Sequence, residues 1–168
     1  MNWRSKALGV VTATAALLGM SATGASADRP EKAHFDFSVE YTNTSLCGFP
    51  IEIVSQGSGF DIFFTDKAGE LARIQGHVTA QDTFSANGVT LVGERYRASA
   101  QLLFSDGDLV EYRLSGVLEK VRLPDGSTFM GAGRIDVLAA LGAGVDFLVE
   151  PDSGVVKNRK AFCAALSG

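Results

Sequence analysis

Short turn signals punctuate this chain roughly every 8 to 15 residues, and the runs between them alternate apolar with polar. A period of two marks a strand with one buried face, because successive side chains of a strand point to opposite sides. Phe35, Phe37, Val39 and Tyr41 alternate within Ala33–Thr42. Ile51–Ser55 is short and β-branched, and Gly57-Ser58-Gly59 reads as a break after it. Phe60–Thr65 alternates again, then Asp66-Lys67-Ala68-Gly69 predicts a turn and Leu71–Ala80 a further strand. Asn87-Gly88 before Val89–Val92 is a type I′ hairpin signal, since that turn needs positive φ at both central residues. Arg95–Phe104 and Leu109–Leu123 flank a second tight turn, Ser105-Asp106-Gly107-Asp108. Leu123-Pro124-Asp125-Gly126-Ser127 predicts a third. Thr128–Leu138 and Val145–Val149 read as the last strands, followed by a turn at Pro151-Asp152-Ser153-Gly154.

Helical spacing is confined to the end. Lys157–Leu166 places Ala161, Phe162, Ala165 and Leu166 on one side, with Asn158 as its N-cap. Leu138-Ala139-Ala140-Leu141 fits either a strand end or a helical turn. The expectation is an all-β chain, an antiparallel meander closed into a barrel, with a two-sheet sandwich as the alternative and a short C-terminal helix.

The N-terminus sets the compartment. Arg4 and Lys6 precede an uncharged apolar run, Ala7–Met20, and Ala25-Ser26-Ala27 is an A-x-A cleavage site. This pattern reads as a secretory signal peptide over residues 1–27. A membrane anchor is the competing reading, but Thr, Ser and Gly dilute the run. Residues 28–46 then form a polar lead-in with a possible first strand, and residues 47–168 a single β domain. Removing Arg4 and Lys6 takes the 15 basic residues to 13 against 19 acidic, a net charge of −6. Such a surface repels phosphate backbones, so nucleic acid is not an expected partner. No stable membrane span is expected after cleavage.

Two cysteines, Cys47 and Cys163, remain in the exported chain. An even count in an oxidising compartment implies a disulfide joining the two ends of the domain. A metal site on these cysteines would need more ligands, and only His34 and His77 are on offer, so no metal or cofactor is expected.

Cys47-Gly48-Phe49-Pro50, Asp-Gly turns between long strands, Gly133-Arg134 and the closing Phe162-Cys163-Ala164-Ala165-Leu166 carry a resemblance. Over residues 47–166 the chain resembles a family of small, largely uncharacterised secreted actinobacterial β-rich proteins. It departs from that pattern at Ala139-Ala140-Leu141-Gly142. The resemblance implies a secreted β domain with a terminal disulfide, and lends no catalytic residues.

Chemistry-bearing motifs are sparse. Gly57-Ser58-Gly59 is too short for a nucleophile elbow, and a Ser-His-Asp triad would have only His34 or His77 to draw on. Asp61, Glu94, Glu111 and Asp136 fall in or near strands and read as solvent-facing, and none of the acidic spacings matches a calcium loop. Arg95-Tyr96-Arg97 places two guanidinium groups on one strand face with Tyr96 on the other, a pair able to grip a carboxylate or phosphate. Arg113 and Arg134 could join them inside a barrel. Phe60, Phe63, Phe64, Phe84, Phe104, Phe129 and Phe147 could line an apolar cavity or simply fill the core. Phe63 hints that its strand is covered on both sides, with the C-terminal helix as one cover.

Three functions follow. The first is a secreted, non-catalytic binding module for a small apolar or amphipathic ligand, with Arg95, Arg97 and His77 as ligand contacts. The second is a cell-envelope or protein-interaction module. The third is a barrel-type cyclase or isomerase.

Overall fold

The turn residues do what their chemistry demands. In the computed structural model, which describes residues 30–139 and 153–168, Asn87 and Gly88 both take positive φ (+50° and +79°), as do Asp106 and Gly107 (+53° and +84°). Asp66 Oδ1 accepts from the backbone N–H of Ala68 and of Glu70, which ties the turn between Thr65 and Leu71. Asp125 Oδ1 accepts from the N–H and the hydroxyl of Ser127, and these bonds hold its carboxyl below the usual range.

These turns join eight strands: β1 (Glu31–Asn43), β2 (Ile51–Thr65), β3 (Leu71–Ala86), β4 (Val89–Val92), β5 (Tyr96–Ser105), β6 (Asp108–Arg122), β7 (Thr128–Asp136) and β8 (Ser153–Lys157). A helix, α1 (Arg159–Leu166), follows. All neighbours are antiparallel, in the order β1-β2-β3-β5-β6-β7-β8, with β4 paired to the end of β3. The all-β meander with a terminal helix therefore holds. Among the described residues the ring is not closed, because β1 and β8 end the sheet without pairing to each other.

Several sequence expectations are corrected. Gly57-Ser58-Gly59 does not break a strand. It lies inside β2, a single strand of 15 residues. A Cβ on Gly57 would meet the Thr79 carbonyl oxygen at 2.3 Å and the Phe37 ring at 2.9 Å, so only glycine lets β1 and β3 approach. Ser153 and Gly154 open β8 instead of forming a turn, because Gly154 pairs closely with Gly133. β7 stops at Asp136 and a helical turn begins at Val137. Asn158 is the N-cap of α1, as expected, and its carbonyl accepts from the Phe162 N–H, but its side chain makes no capping bond. Its backbone is left-handed (φ +58°) and its side chain donates to the Thr128 carbonyl. The leader, Val145–Val149 with Phe147, and residues 140, 141, 151 and 152 lie outside the described residues.

Directly paired residues share a face, so the register sorts the sheet. The inner face, on which α1 packs, carries Ile51 and Ile53, Phe84, Leu91, Val121 and Phe129, all buried. Phe162 of α1 is wholly buried, stacked on Phe129 at 4.1 Å and edge-on to Phe84 at 5.1 Å. Each such side chain stabilises the fold by about 1.5–3 kcal/mol. A Cys47–Cys163 disulfide pins α1 to the β1–β2 connection, and Arg159 adds hydrogen bonds to the Ser45 and Leu46 carbonyls. Asn43, buried, accepts from the Ser45 and Leu46 amides and shapes that connection. Phe63 is half-buried at the far end of β2 from α1, so the helix is not its cover.

Candidate functional site

Away from α1, the inner face changes character. One cross-strand row reads Phe35, Gly59, Val78, Ala98, Gly116, Gly133, Gly154. A row so poor in side chains is where a sheet can bend sharply. Gly116 takes φ +119°, and a Cβ there would meet the Arg97 carbonyl oxygen at 2.9 Å.

On the outer face this row is the floor of a trench of about 770 Å³. One wall is the row His34, Phe60, His77, Ser99, Ser115. The other is Asp36, Ser58, Thr79, Arg97. The trench crosses five strands, which makes it about 19 Å long at normal strand spacing. Phe60 sits between two imidazoles, 5.7 Å from His34 and 4.9 Å from His77. Lys32 Nζ lies 3.6 Å from the centre of the same ring. Ser99 Oγ approaches His77 Nδ1 at 3.4 Å. Arg97 is exposed and forms no ion pair among the described residues.

Two further depressions run alongside. One, of about 270 Å³, is lined by Gln56, Gln81 and Arg95 with Asp36, Ser58 and Thr79. The other, of about 300 Å³, is lined by Gln75, Gln101, Arg113, Ser115 and Arg134. The structure thus puts His77 and Arg97 in one trench and Arg95 in its neighbour, all on the outer face. Tyr96 turns inward, as alternation requires. Arg113 and Arg134 do not enter an interior, because their strand positions face outward too. Arg113 pairs with Glu111 at 2.7 Å, and Glu94 pairs with Lys120.

The other expected residues scatter. Asp61 is half-buried, not fully solvent-facing. It lies on the inner face over Gly76, and burial raises its carboxyl. It is on the opposite face from Glu111, so the two form no carboxylate pair. Among the described residues the phenylalanines line no common cavity: Phe84 and Phe129 fill the core, Phe60 walls the trench, and Phe64 lies under Arg73 at 4.0 Å.

Sequence reasoning missed one cluster. Asp82 and Glu119 are buried on the inner face, just above the core. Burial raises the Asp82 carboxyl, while Ser55 and Tyr96 hydrogen-bond to it and partly oppose that shift. Burial and the nearby Asp82 charge push the Tyr96 phenol well up. The Glu119 carboxylate occupies the space a Cβ on Gly131 would fill. The signal was available, since Asp82 has the parity of Ala80 and Phe84.

Among the described residues no cluster of three or more His, Cys, Asp or Glu could hold a metal ion, and no helix is long and apolar enough to cross a membrane. No protein-family model, curated protein or solved structure matches the chain.

Proposed function

We propose that this protein is a secreted, non-catalytic binding module that takes a small amphipathic anion in the outer trench. The observation that carries this reading is the pairing of two unlike walls. A flat apolar group can lie against the tilted Phe60–His77 ring pair while an anionic group meets the exposed guanidinium of Arg97. The volume falls in the range of small-molecule sites, about 300–1,000 Å³. The disulfide is compatible with an oxidising compartment, and the resemblance to small exported proteins points the same way.

Catalysis is the weaker reading of the same trench. The Ser99–His77 contact is long and exposed, and no described carboxylate orients the imidazole. A second binding reading has its own support. The two flanking depressions extend the surface toward Arg95 on one side and Arg113 and Arg134 on the other, which suits an extended anionic envelope polymer.

Calorimetric titration with aromatic carboxylates, alkyl sulfates and anionic wall glycans tests the proposal. Small amphipathic anions should bind, and Arg97→Ala should abolish the heat. Binding of the glycan alone, weakened by Arg95→Ala and Arg134→Ala, would favour the polymer. Binding unchanged by Arg97→Ala and Phe60→Ala would overturn the trench as the site.

A further inference from the structure

The titratable side chains that line the trench are His34, Asp36, His77 and Arg97. With both imidazoles neutral, Arg97 and Asp36 cancel, and the lining carries no net charge. The chain as a whole is negative, at −4 with neutral histidines. A neutral trench in a negative protein does not draw anions toward it. Protonating both imidazoles takes the same lining to a charge of +2.

The two imidazoles are placed to make that change count. Both are exposed, so water reaches each of them. They flank one phenyl ring, Phe60, with centroids 5.7 and 4.9 Å away, and stand two strands apart on one wall, about 10 Å at normal strand spacing. One small ligand spans that distance. The Phe60 ring already holds a cation, Lys32 Nζ, 3.6 Å from its centre, and the same ring favours an imidazolium over a neutral imidazole. Ser99 Oγ, 3.4 Å from His77 Nδ1, offers an acceptor to the charged ring. The other charged groups around the pair come from three strands. Lys32 and Asp36 share β1 with His34, and Arg97 faces the trench from β5. Beyond Ser115 on β6, Arg113 is paired with Glu111, and Arg134 lines the neighbouring depression. Among the residues that line the trench, Asp36 is the one carboxylate.

We infer that the trench takes up its anion together with protons on His34 and His77, filling in mildly acidic surroundings and emptying as pH rises. This inference rests on the reading of the trench as the anion site. Histidine as a class changes charge between pH 5 and 8, so acidification adds positive charge to the wall within this range. Each added charge strengthens the hold on an anion. Coupling is reciprocal, so a bound anion favours the charged imidazoles and its binding draws protons from solution.

Calorimetric titration with naphthalene-2-sulfonate tests this, because the sulfonate stays ionised throughout and only the protein titrates. At constant ionic strength, affinity should rise about tenfold from pH 8 to pH 5.5. Repeating the titration in buffers of different ionisation heat should show net proton uptake on binding. In the double variant His34→Gln/His77→Gln the ratio of the two affinities should fall to about one, and the proton uptake should vanish. Asp36→Asn should move the other way and tighten binding at pH 8, where it leaves Arg97 unopposed. Affinity that is flat with pH in the wild-type protein, or a rise that survives the double substitution, would overturn the inference while leaving the trench as an anion site. Absence of binding at both pH values would sink that reading and the inference with it.

Discussion

The two faces of one sheet have been given different work. The inner face holds the aromatic core, the glycine row and two buried carboxyls. The outer face over the same residues is polar, with two imidazoles, a phenyl ring and an exposed arginine around an open trench. Neighbouring residues on a strand therefore differ in kind. Val78 faces in, while His77 and Thr79 face out. Substitutions in the aromatic core and the glycine row should cost stability and leave binding chemistry alone. Substitutions on the outer face should do the reverse.

The largest effect should come from Phe162→Ala, which removes the ring between Phe84 and Phe129. A loss of about 3–5 kcal/mol is expected in denaturant unfolding. Replacing both Cys47 and Cys163 by Ala should cost about 2–5 kcal/mol, because a loop spanning 116 residues is no longer closed in the unfolded chain. A thermal melt unmoved by that change would show that α1 docks without its clasp. Gly57→Ala sharpens the contrast between glycines. It should destabilise by about 1–3 kcal/mol through its collision with the Thr79 carbonyl, measured by the same unfolding curves. Gly88→Ala has open space around it and only its positive φ to resist, so about 1 kcal/mol is expected.

Asp82 gives the inner face a pH signature. Its folded pKa is raised above the ordinary 3.8, so the folded state holds that proton more tightly than the unfolded chain. The contribution is favourable below that value and is lost as pH rises through the folded pKa. Asp82→Asn should flatten the fall in melting temperature with rising pH over mildly acidic conditions, and should raise the melt at neutral pH. An unchanged pH profile would remove Asp82 from this account. The smallest stability effects belong to the trench. His77→Ala and Arg97→Ala are on exposed side chains and should shift stability by less than about 0.5 kcal/mol while weakening anion binding.

Much of the local structure is legible in the alternation and the turns. Asn87-Gly88 and Asp106-Gly107 specify their hairpins through backbone φ alone, which depends on few neighbours. Phe35, Phe37, Val39 and Tyr41 announced β1 correctly. The errors fall where a long-range contact overrides a local preference. Gly57 and Gly59 look like punctuation until the Phe37 and Phe35 rings are placed over them. Gly154 looks like a turn until Gly133 pairs with it. The trench was half legible. The sequence singles out Arg97 and His77, but it points Phe60 to core or cavity lining and leaves the hydroxyl wall hidden, because rows across a sheet join residues far apart in sequence.

What the chain determines by itself is the kind of fold and its clasp. Period-two runs, turn residues with positive φ and an even pair of cysteines are local or countable properties, and the physics behind each acts within a few residues or in a compartment. What only the tertiary structure decided is which residues share a row and which face of the sheet is covered. Strand register sets both. It put His34, Phe60 and His77 side by side from three strands, sent Asp82 inward beside Tyr96, and set β1 at one end of the sheet. Register is held where the inner face packs against α1, since a slip of one residue would send those core side chains into water.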